Sequence, residues 1–591
     1  MTYINRNMQI IEQRFPATFH HIKDSMEQGR STSWKESSNY DSAWLEAVTQ
    51  SIGDNKIVFV YGFGRGLSIA ELLDRYPDRW FFVYEPNMNV VVDSLEEMDL
   101  SMVLEHSSLY WLAVGEETIK TAFTLMCSYM QNKIGFLALR YYLEQEEDVI
   151  DEIKEEFMEY RKTFFSNKFT EHRFRMEWTQ NSLLHLNDFF EQVSIEQLYG
   201  TLKGIPAVIV SSGPSLKEDI EWIRKIKDRA LIISAGSSIQ ALIANQIEPH
   251  MTVIMDGHSI NQKIFSSPES LQPPLLYAAS SYYKISDSKA DQKILSVMSS
   301  DHISLHFLGL QTEQVFIRPT STVAGTAVQA AICFGADQII FAGQDLSFSN
   351  NEYYSAGIAH HDSKNAENNV ATATEKVLNV KGSYNATDEG FLAMKSGLES
   401  LIEKFPEVRF VNTTRHGAEI AGAPFQPIDK VYEELKDLKV DPHVIPNLLH
   451  NLEPIAGMEY KNQVLNQLKS VFEDVGNVNQ ESMKLLNDLG KIRALSRTKP
   501  VKAQKNLEQI EKQWAQIASR DWFAVIFETL IPLEIHAFDR MLPEIVNESN
   551  IVRKCDLIEE HLTLVLKAIR DQLPALQDII EESIKRMESG I

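Results

Sequence analysis

The segment Ser211-Ser212-Gly213-Pro214-Ser215-Leu216 combines hydroxyls, a glycine and an abrupt change of hydrophobic period, the residue types that hold a phosphate. The apolar, β-branched run Ala207-Val208-Ile209-Val210 before it reads as a buried strand, and Ile220, Ile223 and Ile226 after it recur at helical spacing. Ser215 followed by Glu218 fits a capping box, and Pro214 stands just outside the helix, where its missing N–H costs little. On this reading the amides of 213–216 and the positive end of the helix dipole face the space above the strand, and Gly213 lets an anion approach closely. A capping box after a strand also occurs where no ligand binds, so the motif leaves both uses open.

Other polar residues follow strands in the same way. Gln344 and Asp345 come directly after Gln338–Ala342, which places them at the carboxyl edge with the 211–216 loop, although a lone Asp there also serves as an N-cap. The strand at 230–234 runs into Ser234, Gly236 and Ser237, and the one at 251–255 ends at Asp256, a candidate ribose or cytosine contact or else half of an Asp-Gly turn. Gly325-Thr326 is expected to open a helix over 327–334 and to offer amides to a carboxylate. Open α/β sheets bind ligands at this edge. The polar segment 349–376 contains Tyr353, Tyr354, Gly357, His360 and His361 with almost no apolar anchor, the composition of a binding loop or lid, or of a solvated tip. Histidine, with an ordinary pKa of about 6.5, is the natural general base near neutral pH.

These motifs resemble the motility-associated factor proteins, which are flagellin glycosyltransferases. The likeness covers roughly 200–425 and rests on Gly213-Pro214-Ser215-Leu216, Gly325-Thr326-Ala327, Gly335-Ala336-Asp337, Gly343-Gln344-Asp345-Leu346 and Gly417-Ala418-Glu419-Ile420-Ala421-Gly422. The loop is also similar to that of small bacterial sialyltransferases. The resemblance implies transfer of a sialic-acid-like nonulosonic acid from a CMP-linked donor to Ser or Thr of flagellin, with no further cofactor. No Asp-x-Asp pair occurs, which fits a site without metal. Where the family carries His-Ala-x-Gly, this chain has Tyr354-Ser355-Ala356-Gly357, so the base falls among His360, His361 and His416, with Tyr353 and Tyr354 as donors to the departing phosphate and Asp345 as the remaining proton acceptor. A pterin diphosphokinase family is similar across the Gly-Pro-Ser-Leu half only, which implies pyrophosphate transfer as the alternative. A non-catalytic flagellin-binding or export-assisting factor is a third reading.

The elements that position these residues divide into three segments. Residues 1–195 read as an N-terminal α/β domain with a charged helical connector, 196–428 as a central doubly wound, Rossmann-like domain, and 429–591 as a C-terminal helical bundle. In the first, Gly62-Phe63-Gly64-Arg65-Gly66 follows one strand and Glu85 ends the next, the outline of a nucleotide-binding unit or simply of close helix-to-strand packing. In the last, Ile558, Leu562, Val565, Ile569, Leu573, Leu576, Ile580, Ile584 and Met587 form one helical stripe, with a kink or break expected at Pro574. A net charge of −25 over 591 residues argues against broad binding to nucleic acid or anionic membranes. Cys127, Cys333 and Cys555 lack metal-ligand spacing and are expected to be reduced core residues. With no leader-like N-terminus and no spanning apolar run, the expected compartment is the cytoplasm.

Overall fold

The computed structural model describes residues 2–28, 42–129, 133–349, 352, 354–355 and 370–589. They form two compact units, one from Met1–Arg173 with Pro532–Leu562, the other from Phe174–Ile531 with Thr563–Ile591, so the C-terminal helical segment contributes to both.

The first unit holds a four-stranded parallel sheet of β1 (Ile57–Tyr61), β2 (Trp80–Glu85), β3 (Leu109–Val114) and β4 (Gly135–Ala138), in the order β3-β2-β1-β4. Helices cover its apolar strands, and Phe59, Phe81, Phe82 and Phe123 are fully buried. The glycine turn after β1 is already occupied from within. Glu85, fully buried, accepts from the Phe63 amide at 2.8 Å, the Gly64 amide at 3.2 Å, the Asn87 amide at 3.0 Å and the Tyr142 hydroxyl at 2.6 Å. A carboxylate thus stands where a ligand anion would, and burial pushes its pKa up despite those donors. Gly62, at φ +99°, packs so closely that a Cβ would meet the Tyr142 ring at 2.5 Å. Close packing, rather than a nucleotide, accounts for this motif.

The second unit is built on an eight-stranded, wholly parallel sheet. Its strands are β5 (Val193–Ser194), β6 (Ala207–Val210), β7 (Leu231–Ala235), β8 (Met251–Ile254), β9 (Leu275–Ala278), β10 (Lys293–Ser296), β11 (Gln338–Ala342) and β14 (Arg409–Asn412), ordered β14-β11-β6-β7-β8-β9-β10-β5. Between the last two in sequence, β12 (Glu375–Leu378) and β13 (Tyr384–Thr387) make an antiparallel hairpin. Helices cover both faces, so the strands read as continuous apolar runs without polar alternation. No strand follows Asn412 among the described residues. Helices Met458–Thr498 and Pro500–Ala518 pack against each other, and Leu485, Leu489, Ile492, Ala503, Leu507 and Ile510 are buried along them. The last helix, Ile551–Ser589, runs through Pro574 without a break, so of the expected kink or break the break does not form; buried apolar residues flank the proline on either side. The three cysteines are buried, as expected of core residues.

Candidate functional site

From β6 the chain builds β7 to β10 on one side and returns at β11 on the other, so the strand order reverses between β6 and β11. A cavity of about 330 Å³ opens at this edge. Its polar walls follow the ends of strands: Ser211, Ser212 and Gly213 after β6, Gly236 and Ser237 after β7, Met255 and Asp256 after β8, and Gly343 to Ser347 after β11.

The 211–216 loop differs in detail from its sequence reading. The Gly213 amide donates to Gly343 O at 2.9 Å, the Ser215 amide to Asp345 Oδ2 at 3.1 Å, and the Leu216 amide to Gly213 O at 3.1 Å. Ser215 makes no capping box; its hydroxyl donates to Asp345 Oδ1 at 2.7 Å. The amides expected to face a phosphate are therefore spent, those of Gly213 and Ser215 on the β11 loop and that of Leu216 within its own turn, and Gly213 is small because the β11 loop lies against it. A Cβ there would overlap the Asp345 carboxylate and stand 2.6 Å from Gly343 O. Asp345 is 3% exposed, and burial raises its pKa. It locks two loops together. Pro214, Ser215 and Leu216 do not line the cavity.

Donors reach the cavity from elsewhere. Ser211 Oγ donates to Gln344 Oε1 at 2.5 Å, and the Gln344 amide N–H donates to Thr414 Oγ1 at 3.0 Å. With Oε1 engaged, the Gln344 Nε2 hydrogens are the end available to a ligand. Ser237 Oγ donates to Ser212 Oγ at 3.1 Å. The helix expected over 327–334 begins earlier, at Val323–Phe334, capped by Thr322, whose side chain accepts from the Gly325 amide. Its backbone bonds start at Gly325, so the amides of Val323 and Ala324, both cavity residues, precede them. Gly325 and Thr326 lie inside the helix, and Thr326 is buried with its hydroxyl on Met255 Sδ. Thr320-Ser321-Thr322 ahead of an apolar run was the N-cap signal for this start.

Asp256 faces the cavity, where it is reached by solvent while protein packs densely around it, and that enclosure raises its pKa. Among the described residues the lining carries Asp256 and Asp345 as its charged groups and no Lys, Arg or His. Anionic groups of a ligand must therefore be met here by hydroxyls, amides and the helix N-terminus. Ile260, Ile264, Phe391 and Met394 supply an apolar wall that no motif signalled.

Of the remaining candidates, Ser234 is buried away from the cavity, its hydroxyl bonded to Ser238 Oγ at 2.8 Å. His416 is not a lining residue; Lys381 Nζ lies 2.7 Å from its Nδ1 and Glu218 Oε1 2.9 Å from its Nε2. Tyr354 lines the cavity. Tyr353, Gly357, His360 and His361 lie outside the described residues.

Behind the loop, Asp219 is completely buried, accepts from Thr413 Oγ1 at 3.2 Å, and stands 3.6 Å from Arg415 Nε, an ion pair too long to be a hydrogen bond. Burial outweighs that pair and pushes its pKa up to about 7. The folded state therefore holds a proton that the unfolded state releases near the ordinary Asp value of 3.8. Stability from this group is full below that value and is lost as pH rises through about 7. Urea unfolding at pH 5 and pH 8 should show a decline that Asp219→Asn reduces, by up to about 3 kcal/mol. An identical decline in the variant rejects the assignment.

An open parallel sheet with a hydroxyl-lined cavity at its strand-order switch defines a doubly wound, Rossmann-like α/β fold. Residues 180–351 match the family model described as 6-hydroxymethylpterin diphosphokinase MptE-like. Over its whole length the chain has the fold of the MAf glycosyltransferase from Magnetospirillum magneticum AMB-1, at 13% identity and a TM-score of 0.56, covering 100% of this chain and 99% of that one. No curated protein matched by sequence. No helix among the described residues is long and apolar enough to cross a membrane.

Proposed function

We propose that the second unit is a glycosyltransferase whose cavity binds a CMP-linked nonulosonic acid and transfers the sugar to Ser or Thr hydroxyls of flagellin. The observation that carries this reading is the hydroxyl-lined cavity at the strand-order switch, in a chain with the fold of a glycosyltransferase. The acceptor oxygen attacks the anomeric carbon, the bond from that carbon to the phosphate oxygen breaks, and CMP leaves with the electron pair. Gln344 Nε2, the serine hydroxyls and the first amides of Val323–Phe334 stabilise the charge that develops on the phosphate or hold the sugar carboxylate. The acceptor proton passes to His360 or His361, because Asp345 is committed to Ser215 and His416 stands outside the cavity.

The 180–351 match favours a second reading, pyrophosphate transfer. Incubation with CMP-nonulosonate and flagellin, with and without EDTA, separates the two. Glycosylated flagellin of unchanged yield in EDTA is expected. Absence of transfer, together with magnesium-dependent release of AMP from ATP in the presence of a hydroxymethylpterin, supports the second.

A further inference from the structure

We propose that Asn181 is the positioning residue for Asp256, and that Asp256 reads a hydrogen-bond donor on the nucleoside half of the ligand. This rests on the reading of the cavity as a CMP site. Asn181 lies near the end of the helix Glu147–Leu184 and is 1% exposed. Its side chain is fully used: Nδ2 donates to Gly257 O and to Ser280 O, each at 3.0 Å, and Oδ1 accepts from the Tyr283 amide at 3.3 Å. The first two bonds tie the loop after β8 to the loop after β9. The Asp256 carbonyl is fixed by the same neighbour, accepting from the Tyr282 amide at 3.1 Å.

Gly257 completes the clamp. A Cβ on it would stand 2.7 Å from Trp178 Cδ1, 2.8 Å from Asn181 Nδ2 and 2.7 Å from Ser280 O, so the loop is pressed onto the helix and Asp256 is held facing the cavity. A carboxylate there repels phosphate and sugar carboxylate and accepts from ribose hydroxyls or an exocyclic amine. It therefore orients the ligand with its anionic groups toward the 211–213 loop and the Val323 helix start, and its nucleoside toward β8.

The test is a double-mutant cycle on CMP affinity by calorimetry, with Asn181→Ala, Asp256→Asn and both changes together, each checked by its thermal melt. Asn181→Ala is expected to weaken CMP about tenfold in the natural background and by less than about twofold once Asp256→Asn is present, the coupling expected when one residue acts through another. Comparing CMP with 2′-deoxy-CMP and UMP in Asp256→Asn shows whether hydroxyl or amine is read. If Asn181→Ala does not fold, Gly257→Ala in the same cycle reads the same coupling. No CMP binding by the natural protein overturns the underlying reading; normal CMP binding with Asn181→Ala neutral, or equally damaging in both backgrounds, overturns this inference alone.

Discussion

Gln344→Glu is expected to lower single-turnover sugar transfer by at least about 10²- to 10³-fold, the range measured when one transition-state hydrogen-bond donor is removed from an enzyme, and to weaken donor binding as well, because the new carboxylate repels the phosphate. The side chain is 6% exposed and is held at its carbonyl end by Ser211 Oγ. Its backbone is fixed by Thr414 and by the turn at Gly343, φ +67°. A donor held this firmly needs little reorganisation when charge develops on the leaving phosphate. Glutamate keeps the shape and the acceptor facing Ser211 but replaces the donor with a negative oxygen. Unchanged turnover in a folded variant would make Gln344 a structural tie between β6 and β11 and pass the leaving-group role to the Val323 helix start.

Much of the fold was legible because the sheet is parallel and buried on both faces. Runs such as Ala207–Val210 and Gln338–Ala342 have a single plausible use, and the observed strands fall within a residue or so of those runs. The positions of Ser211, Ser237, Asp256 and Gln344 at one edge followed from the same pattern. What the chain order hid was partnership. Ser215 and Asp345 are 130 positions apart, and they meet because β11 is inserted beside β6, a fact of strand order that no local motif encodes. Local rules therefore supplied the nearer partner, Glu218, and with it a capping box that does not exist. The apolar wall from Ile260, Ile264, Phe391 and Met394 was invisible for a different reason: its residues belong to amphipathic segments indistinguishable from core helices.

The same physical device appears in both units. Glu85 fills the amides of the glycine turn after β1, and Asp345 takes the Ser215 amide in the loop after β6. A glycine-rich turn at the start of a helix presents donors that must be satisfied, by a ligand or by the protein's own carboxylate. In the first unit the carboxylate of Glu85 takes them. In the second, the plug also carries Gln344 into place one residue earlier, so loop closure and site assembly are one event.

Gly213→Val is therefore expected to destabilise the second unit rather than to weaken ligand binding alone. The added Cβ would overlap the Asp345 carboxylate and press on Gly343 O at 2.6 Å, and neither neighbour is the loose end of a flexible side chain: Asp345 is held by two bonds from Ser215, and Gly343 is backbone. Overpacking of this kind costs about 1–3 kcal/mol, and moving Asp345 off the Ser215 amide adds about 1–3 kcal/mol for buried groups left unpaired. Gly213→Ala should show most of this effect, since the first added carbon already makes the clash. Thermal unfolding of both variants, followed by calorimetric titration of whatever remains folded, is the measurement. A melting temperature equal to that of the natural protein, with CMP affinity lost, would mean that the loop yields locally and that Gly213 is small for the ligand after all.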